Sequence, residues 1–122
     1  MKKDPRTHAI IGAAMEIHRI ISPGHLEAVY HECLEIEFRK RNISYISKPK
    51  LEIYYKEEKL KKFYTPGFLV YKEIVLEIKS SKSLTEVDEA QIINSLKISR
   101  QEIGLLINFG ELSLKFKRFI NS

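Results

Sequence analysis

The sequence from residue 74 to residue 79 reads Ile-Val-Leu-Glu-Ile-Lys, an apolar run that ends in an acid and a cation. Alternate residues of an extended strand share a face, so Glu77 and Lys79 are predicted to project together, opposite a buried apolar face. A carboxylate can hold a divalent metal, and a neighbouring lysine can stabilise a phosphate or a nucleophilic water, as phosphodiester hydrolysis requires. The alternative is a solvated strand edge with a weak ion pair, which is a common use of the same pattern.

Size and composition are those of a small globular protein. The chain has 122 residues, of which 43% are hydrophobic and 30% charged, enough for one hydrophobic core. No apolar run approaches the ~20 residues of a membrane span, and the first residues, Met-Lys-Lys-Asp-Pro-Arg, are not followed by the apolar stretch of a secretory signal. The single cysteine, Cys33, excludes an internal disulfide and a cysteine-based zinc site. We therefore expect a cytoplasmic protein that does not contact a membrane.

The net charge of +5 makes the chain moderately basic. Lysine and arginine concentrate at residues 39–41, 48–62 and 115–118. Such residues gain affinity for a polyanion by releasing phosphate counterions, so nucleic acid is a candidate partner. The alternative explanation is that these charged residues lie on exposed strands and helix ends and keep the protein soluble.

Hydrophobic periodicity predicts a mixed α+β arrangement. Helical spacing of apolar residues appears in three segments, at residues 7–21, 25–41 and 85–100. Alternating or continuous apolar runs predict five strands, at residues 51–55, 60–71, 74–80, 103–109 and 112–119. The first three strands form a predicted meander, and the third helix crosses over to a parallel neighbour. The predicted order is α-α-β-β-β-α-β-β, with helices packed on a mixed sheet.

The same periodicity predicts which helix faces are buried. The predicted inner residues of the second helix are Leu26, Val29, Tyr30, Cys33, Leu34 and Phe38. Those of the third helix are Val87, Ala90, Ile93, Asn94 and Ile98.

Two polar side chains lie near these predicted inner faces. Glu27 belongs to the sequence Gly-His-Leu-Glu-Ala-Val-Tyr at residues 24–30, and its spacing from Tyr30 places it at the border of the buried face. A glutamate in a first turn is also favoured by the helix dipole alone. Gln91, on the third helix, is either a hydrogen-bonded residue at the edge of the buried face or a group that orients a water or a phosphate.

Gly24, Glu27 and Tyr30 reproduce the motif that names the GxxExxY protein family, which the chain resembles from about residue 10 to residue 118. Further matching segments follow in the same order and at similar spacing: Tyr-Lys at 55–56, Phe-Leu-Val at 68–70, Leu-Glu-Ile-Lys at 76–79, Glu-Ala-Gln at 89–91 and Gly-Leu-Leu-Ile-Asn-Phe-Gly at 104–110. The family is grouped with the PD-(D/E)XK nuclease-like superfamily. The resemblance implies an α/β (α+β) fold with a restriction-endonuclease-like core, and residues 1–122 are expected to form a single domain of this type.

The resemblance also implies a set of site residues. In active members of the superfamily, acids from a helix and from two strands surround one or two magnesium ions, beside the lysine of the E-x-K element. By this correspondence Glu27 and Glu77 are metal ligands, and Glu77, Lys79 and Gln91 are catalytic residues. The implied cofactor is Mg²⁺, with Mn²⁺ as a substitute, and the implied partner is nucleic acid, DNA in preference to RNA.

One position departs from the family pattern in a way that affects the site. The pattern places an aspartate in the strand before E-x-K, where this chain has Gly67, which offers no side chain. Three acids are candidates to compensate: Glu73 in the following turn, which is expected to lie too far along the strand, and Asp88 and Glu89 on the third helix. The expected activity is therefore a Mg²⁺-dependent hydrolysis of DNA that is weak or lost.

Two alternatives remain open on the same fold. In the first, the chain binds nucleic acid without cutting it, through its basic strands and through base stacking on Tyr54, Tyr55, Phe63 and Tyr64. For these aromatic residues a sheet face covered by helices is the favoured interpretation. In the second, the chain is a protein-interaction module, and the edge strand at residues 112–119 pairs with a second copy to give a homodimer.

Overall fold

A five-stranded mixed sheet with helices on both faces forms the centre of the structure, a computed structural model that describes residues 4–121. The helices are α1 (Pro5–Ile21), α2 (Glu27–Lys40) and α3 (Glu86–Ser99). The strands are β1 (Tyr45–Ser47), β2 (Leu51–Tyr55), β3 (Glu58–Tyr64), β4 (Phe68–Val70), β5 (Ile74–Lys79), β6 (Ile103–Asn108) and β7 (Lys115–Ile120). The sheet has the order β1-β4-β5-β6-β7, and β2 and β3 form a separate antiparallel hairpin.

The central strands β5 and β6 are buried on both faces. One face of each strand packs against α1 and α2, through Ile74, Leu76, Ile78, Leu105 and Ile107. The other face packs against α3, where Val75 and Leu106 contact Ile92 and Leu96. This two-sided burial explains why both strands are nearly continuous apolar runs in the sequence.

The mixed α+β class and the crossover are confirmed. β5 runs parallel to β6, with Glu77 beside Leu106 and Lys79 beside Asn108, and α3 is the connection between them. α3 begins with a capping box in which the side chain of Thr85 accepts from the backbone of Asp88. No helix within residues 4–121 is long and apolar enough to cross a membrane.

The strands of the predicted meander differ from the observed ones. The predicted strand at residues 60–71 is divided into β3 and β4 at Pro66-Gly67, because proline cannot donate to a ladder. Its first part leaves the sheet with β2, and the short strand β1, which the sequence did not indicate, takes the place beside β4. The last strand begins at Lys115 rather than at residue 112. Residues 1–3 and 122, the ends of the predicted single domain, lie outside the described residues.

Two predicted helix faces need correction. Leu26 and Val29 are exposed, and the buried residues of α2 are Tyr30, Leu34 and Phe38. The predicted inner face of α3 is wrong, since its buried residues are Ile92, Leu96 and Ser99, whereas Val87, Ile93 and Ile98 are exposed. Apolar residues occur around the whole circumference of α3, so periodicity alone does not define its inward side.

Candidate active site

Glu77 and Lys79 lie on the same face of β5, as the alternation predicts. They follow Val75, which packs against α3, so the acid and the cation both face the α3 side of the sheet. The opposite face of the strand contributes only apolar side chains to the core under α1 and α2. Both polar residues are partly buried at the carboxyl end of the strand.

The Glu77 carboxylate is held by two donors of the protein. The Tyr64 hydroxyl donates to Oε2 at 2.7 Å, and the Gly67 backbone N–H donates to Oε1 at 3.1 Å. Burial raises the pKa of Glu77, although both hydrogen bonds and the charge of Lys79 oppose the rise. Burial and the neighbouring Glu77 charge raise the pKa of Tyr64, which therefore remains a donor. Each carboxylate oxygen thus already has a partner.

Glu27 is near enough to Glu77 for its charge to make a small contribution to the raised pKa of Glu77. It is nevertheless exposed, so the prediction that it lies at the border of the buried face is wrong. α2 begins at Glu27, and burial in this helix starts one turn later, at Tyr30. The acid is therefore a solvated group near the site rather than part of its wall.

The other two residues of the GxxExxY motif, Gly24 and Tyr30, have structural roles. Gly24 has a φ of 108°, which favours glycine. Tyr30 is fully buried, stacks on Phe109 at 4.5 Å and donates to the Ser22 carbonyl at 2.7 Å. These contacts fix the turn between α1 and α2, and hence the position of Glu27.

A polar stripe on α3 borders the same site. The Lys79 ammonium is 4.0 Å from a carboxylate oxygen of Asp88. The Ser95 side chain acts to lower the pKa of Tyr64, against the larger effect of burial. Gln91 lies three residues after Asp88 and four before Ser95, so it falls on the same stripe of the helix surface, where it is exposed. The structure thus brings Gln91 to the side of α3 that faces Lys79 and Tyr64, and its catalytic role stays a prediction.

Gly67 faces directly into this site. A Cβ added at Gly67 would lie 4.0 Å from Oε1 of Glu77 and 3.9 Å from Nδ1 of His31. It would also lie 3.2 Å from the Leu76 carbonyl oxygen, a close contact that a small backbone shift would relieve. A side chain at residue 67 would therefore enter the space beside Glu77 and His31.

His31 is part of this site, and the sequence reasoning did not single it out. Its Nε2 is 2.8 Å from the Ser47 hydroxyl, and its ring stacks on Phe68 with centroids 4.1 Å apart. Burial lowers the pKa of His31, which favours the neutral ring. The available signal was its spacing, since His31 follows Glu27 by one helical turn and shares its side of α2.

Each of the three candidate replacement acids has a partner elsewhere in the structure. Glu73 pairs with Arg6, and Glu89 pairs with Lys117 at 2.6 Å. Asp88 approaches Lys79, but its carboxylate also accepts from the Thr85 backbone at 2.9 Å as the cap of α3. Within residues 4–121, no group of three histidine, cysteine, aspartate or glutamate side chains is placed to hold a metal ion.

Comparison with known proteins gives one match. No curated protein and no solved structure matches the chain. A family model described as the PD-(D/E)XK nuclease superfamily matches residues 4–119. The match spans every helix and all but the last residue of the final strand, and it includes Glu27, Gly67, Glu77, Lys79 and Gln91. Together with the mixed sheet and its crossover helix, this match shows that the chain belongs to the PD-(D/E)XK nuclease superfamily.

Proposed function

We propose that this chain is a nuclease-like protein of the GxxExxY type that acts on DNA, and that its Mg²⁺-dependent phosphodiester hydrolysis is weak or lost. The observation that supports the proposal is the position of Gly67. A side chain at this position would enter the site beside Glu77 and His31, and glycine supplies none. In this proposal the acidic group of the family pattern is absent beside Glu77, while Glu77 and Lys79 still share one face of β5.

The residues present do not fit a Mg²⁺ ion as they stand. Mg²⁺ requires hard oxygen ligands in a near-octahedral geometry, and Mn²⁺ also prefers oxygen ligands. Each oxygen of Glu77 accepts a hydrogen bond, from Tyr64 or from Gly67, and Glu27 is exposed. Within residues 4–121 no three acidic, histidine or cysteine side chains are grouped to hold a metal ion. Weak or lost hydrolysis follows from this mismatch.

The remaining polar groups are suited to binding a phosphodiester. Lys79 is partly exposed at the end of β5, and its nearest anionic partner is the Asp88 carboxylate at 4.0 Å, longer than a hydrogen bond. A phosphate oxygen that approached this face would meet the ammonium of Lys79 and the amide of Gln91. We assign these two residues to positioning the phosphate.

The decisive experiment restores the acid. Gly67→Asp should bind Mg²⁺, seen as a rise in melting temperature on adding the ion, because a ligand that binds only the folded state stabilises it. It should also cut DNA in a Mg²⁺-dependent way, whereas the native chain cuts weakly or not at all. Gly67→Asn is the matched control, because it introduces a side chain of the same shape without the charge. Adding Lys79→Ala to Gly67→Asp should remove the cleavage and leave metal binding in place.

Two results would contradict the proposal. If Gly67→Asp binds Mg²⁺ no better than Gly67→Asn, the missing acid is not what prevents metal binding. If the native chain cuts DNA as fast as Gly67→Asp, the site is complete without an acid at this position.

A second candidate function, binding of nucleic acid without cleavage, is favoured by the β2–β3 hairpin. Tyr55 and Phe63 are exposed, so the expectation that helices cover these aromatic residues is wrong for both. Lys59, Lys61 and Lys62 are exposed on the same hairpin. Exposed aromatic and cationic side chains together can hold a nucleic-acid strand through stacking and phosphate contacts.

A further inference from the structure

A large groove lies between α1 and β7, away from the site described above. It has a volume of about 880 Å³, and its lining includes Ile11 and Met15 from α1 and Phe116, Arg118 and Ile120 from β7. Met15, Phe116 and Ile120 are 50%, 44% and 56% exposed. Contiguous exposed apolar side chains of this kind mark a binding surface more often than a free one.

The groove runs along an open edge of the sheet. β7 pairs with β6 on one side, and within residues 4–121 no strand pairs with its other side. Phe116, Arg118 and Ile120 alternate along the strand and so share the face that lines the groove. An edge strand beside an apolar groove suits an extended peptide, since its backbone would complete the ladder and its alternate side chains would enter the groove.

Arg118 gives the groove a preference for negative charge. Its Nε is buried and has no hydrogen-bond partner among residues 4–121. Its nearest acid is Asp4 at 3.8 Å, and that carboxylate already binds the Arg6 guanidinium at 2.9 Å. A buried guanidinium nitrogen without a partner costs free energy, and a second carboxylate in the groove would pair with the guanidinium.

We propose that this groove binds an extended segment of a partner protein, which adds to β7 as a strand and places an acidic residue at Arg118 between two apolar residues. A second copy of β7 is a poor occupant of the same edge. Residues 115–120 read Lys-Phe-Lys-Arg-Phe-Ile and contain no acid. Two-fold antiparallel pairing near the strand centre would set Lys117 against Lys117, or Arg118 against Arg118, of the other copy, and directly opposed like charges are destabilising.

The test uses a labelled nine-residue peptide with apolar residues on one face and a central glutamate, and fluorescence anisotropy as the readout. The peptide should bind the native chain saturably, and replacing its glutamate by lysine should weaken binding at least about tenfold. N-methylation of its ladder-forming amides should abolish binding, because strand addition requires those groups.

Substitutions in the groove test whether the acidic peptide binds there. Phe116→Asp and Met15→Glu change exposed residues on the two walls, and each should weaken binding of the acidic peptide while leaving the melting temperature within a few degrees of the native value. Ile46→Asp is the matched control, since Ile46 is an exposed apolar residue on β1, the opposite edge of the same sheet. It should leave binding unchanged.

Three outcomes would overturn the inference. One is the absence of saturable binding by the acidic peptide, and another is equal binding of the acidic and basic peptides. The third is a native dimer in sedimentation that Phe116→Asp dissociates, which would make a second copy the occupant. None of these results depends on whether the chain cuts DNA.

Discussion

Burial of the Glu77 carboxylate costs free energy that its hydrogen bonds do not fully offset. Two donors, the Tyr64 hydroxyl and the Gly67 amide, hold its carboxylate, yet burial still raises its pKa. A structural role at this position would be met by an uncharged acceptor, which would avoid the cost of desolvating a charge. The acid is therefore better explained by binding of a ligand than by the stability of the fold.

Glu77→Gln should change the pH dependence of stability. An acid with a raised pKa in the folded state contributes stability that is fully present below its unfolded value, near 4.5, and is lost as the pH rises through the folded value. The native chain should therefore lose stability relative to Glu77→Gln as the pH rises above about 4.5. Thermal melts of both proteins over a series of pH values on either side of this point measure the difference. Glu58→Gln, on the exposed hairpin, is the control, and a Glu77→Gln difference that does not vary with pH would contradict the assignment.

Some residues of the candidate site were predictable from the sequence and others were not, for a physical reason. Glu77 and Lys79 were predictable, because the period of a strand fixes which side chains share a face. Tyr64 and His31 were not, because each reaches the site only through tertiary structure, from the end of the hairpin and from the second turn of α2. The exposure of Glu27 was also missed, since the sequence does not show how far a helix end extends beyond the core.

Among the elements, α3 shows the limit of periodicity most clearly. Its apolar side chains are distributed around the helix, so several choices of inner face agree equally well with the sequence. The structure selects Ile92 and Leu96, which pack on the sheet where Gly104 leaves room for them. The buried face of α3 is thus decided by the strand opposite it.

Gly104→Ala should destabilise the packing of α3 on β6. An added Cβ would lie 2.8 Å from Cδ1 of Leu96 and 3.2 Å from Cδ1 of Ile92, and both side chains are buried, so neither can move freely. The expected loss is about 1–3 kcal/mol of unfolding free energy, as for other overpacked cores, measured by chemical denaturation. Gly12→Ala is the matched control, because Gly12 lies within α1 and its added Cβ would make an ordinary contact of 3.5 Å with the Arg41 side chain. It should stabilise the protein by about 0.5–1 kcal/mol, and equal effects of the two substitutions would contradict this account.

For the whole molecule, the fold class was predictable and the division of the strands into two sheets was not. Two nearly continuous apolar runs separated by a helix indicate a parallel pair with a crossover, and β5, α3 and β6 have this arrangement. The departure of the β2–β3 hairpin from the sheet depends on the break at Pro66-Gly67 and on packing of β2 against α3. Because Tyr64 ends the hairpin and binds Glu77, the basic hairpin and the candidate site are adjacent.

This adjacency predicts that the native chain binds DNA even without a metal ion. Affinity should fall steeply as salt increases, because binding releases phosphate counterions, and it should not change on adding a chelator. Lys61→Glu combined with Lys62→Glu should weaken binding and reduce the slope of log affinity against log salt by about 1 for each lost phosphate contact. Lys72→Glu, in the exposed turn between β4 and β5, changes the charge as much as Lys61→Glu or Lys62→Glu alone and should weaken binding less than either. Electrophoretic mobility shifts over a salt series measure these quantities, and binding that is insensitive to salt or to the hairpin lysines would exclude the hairpin as the nucleic-acid surface.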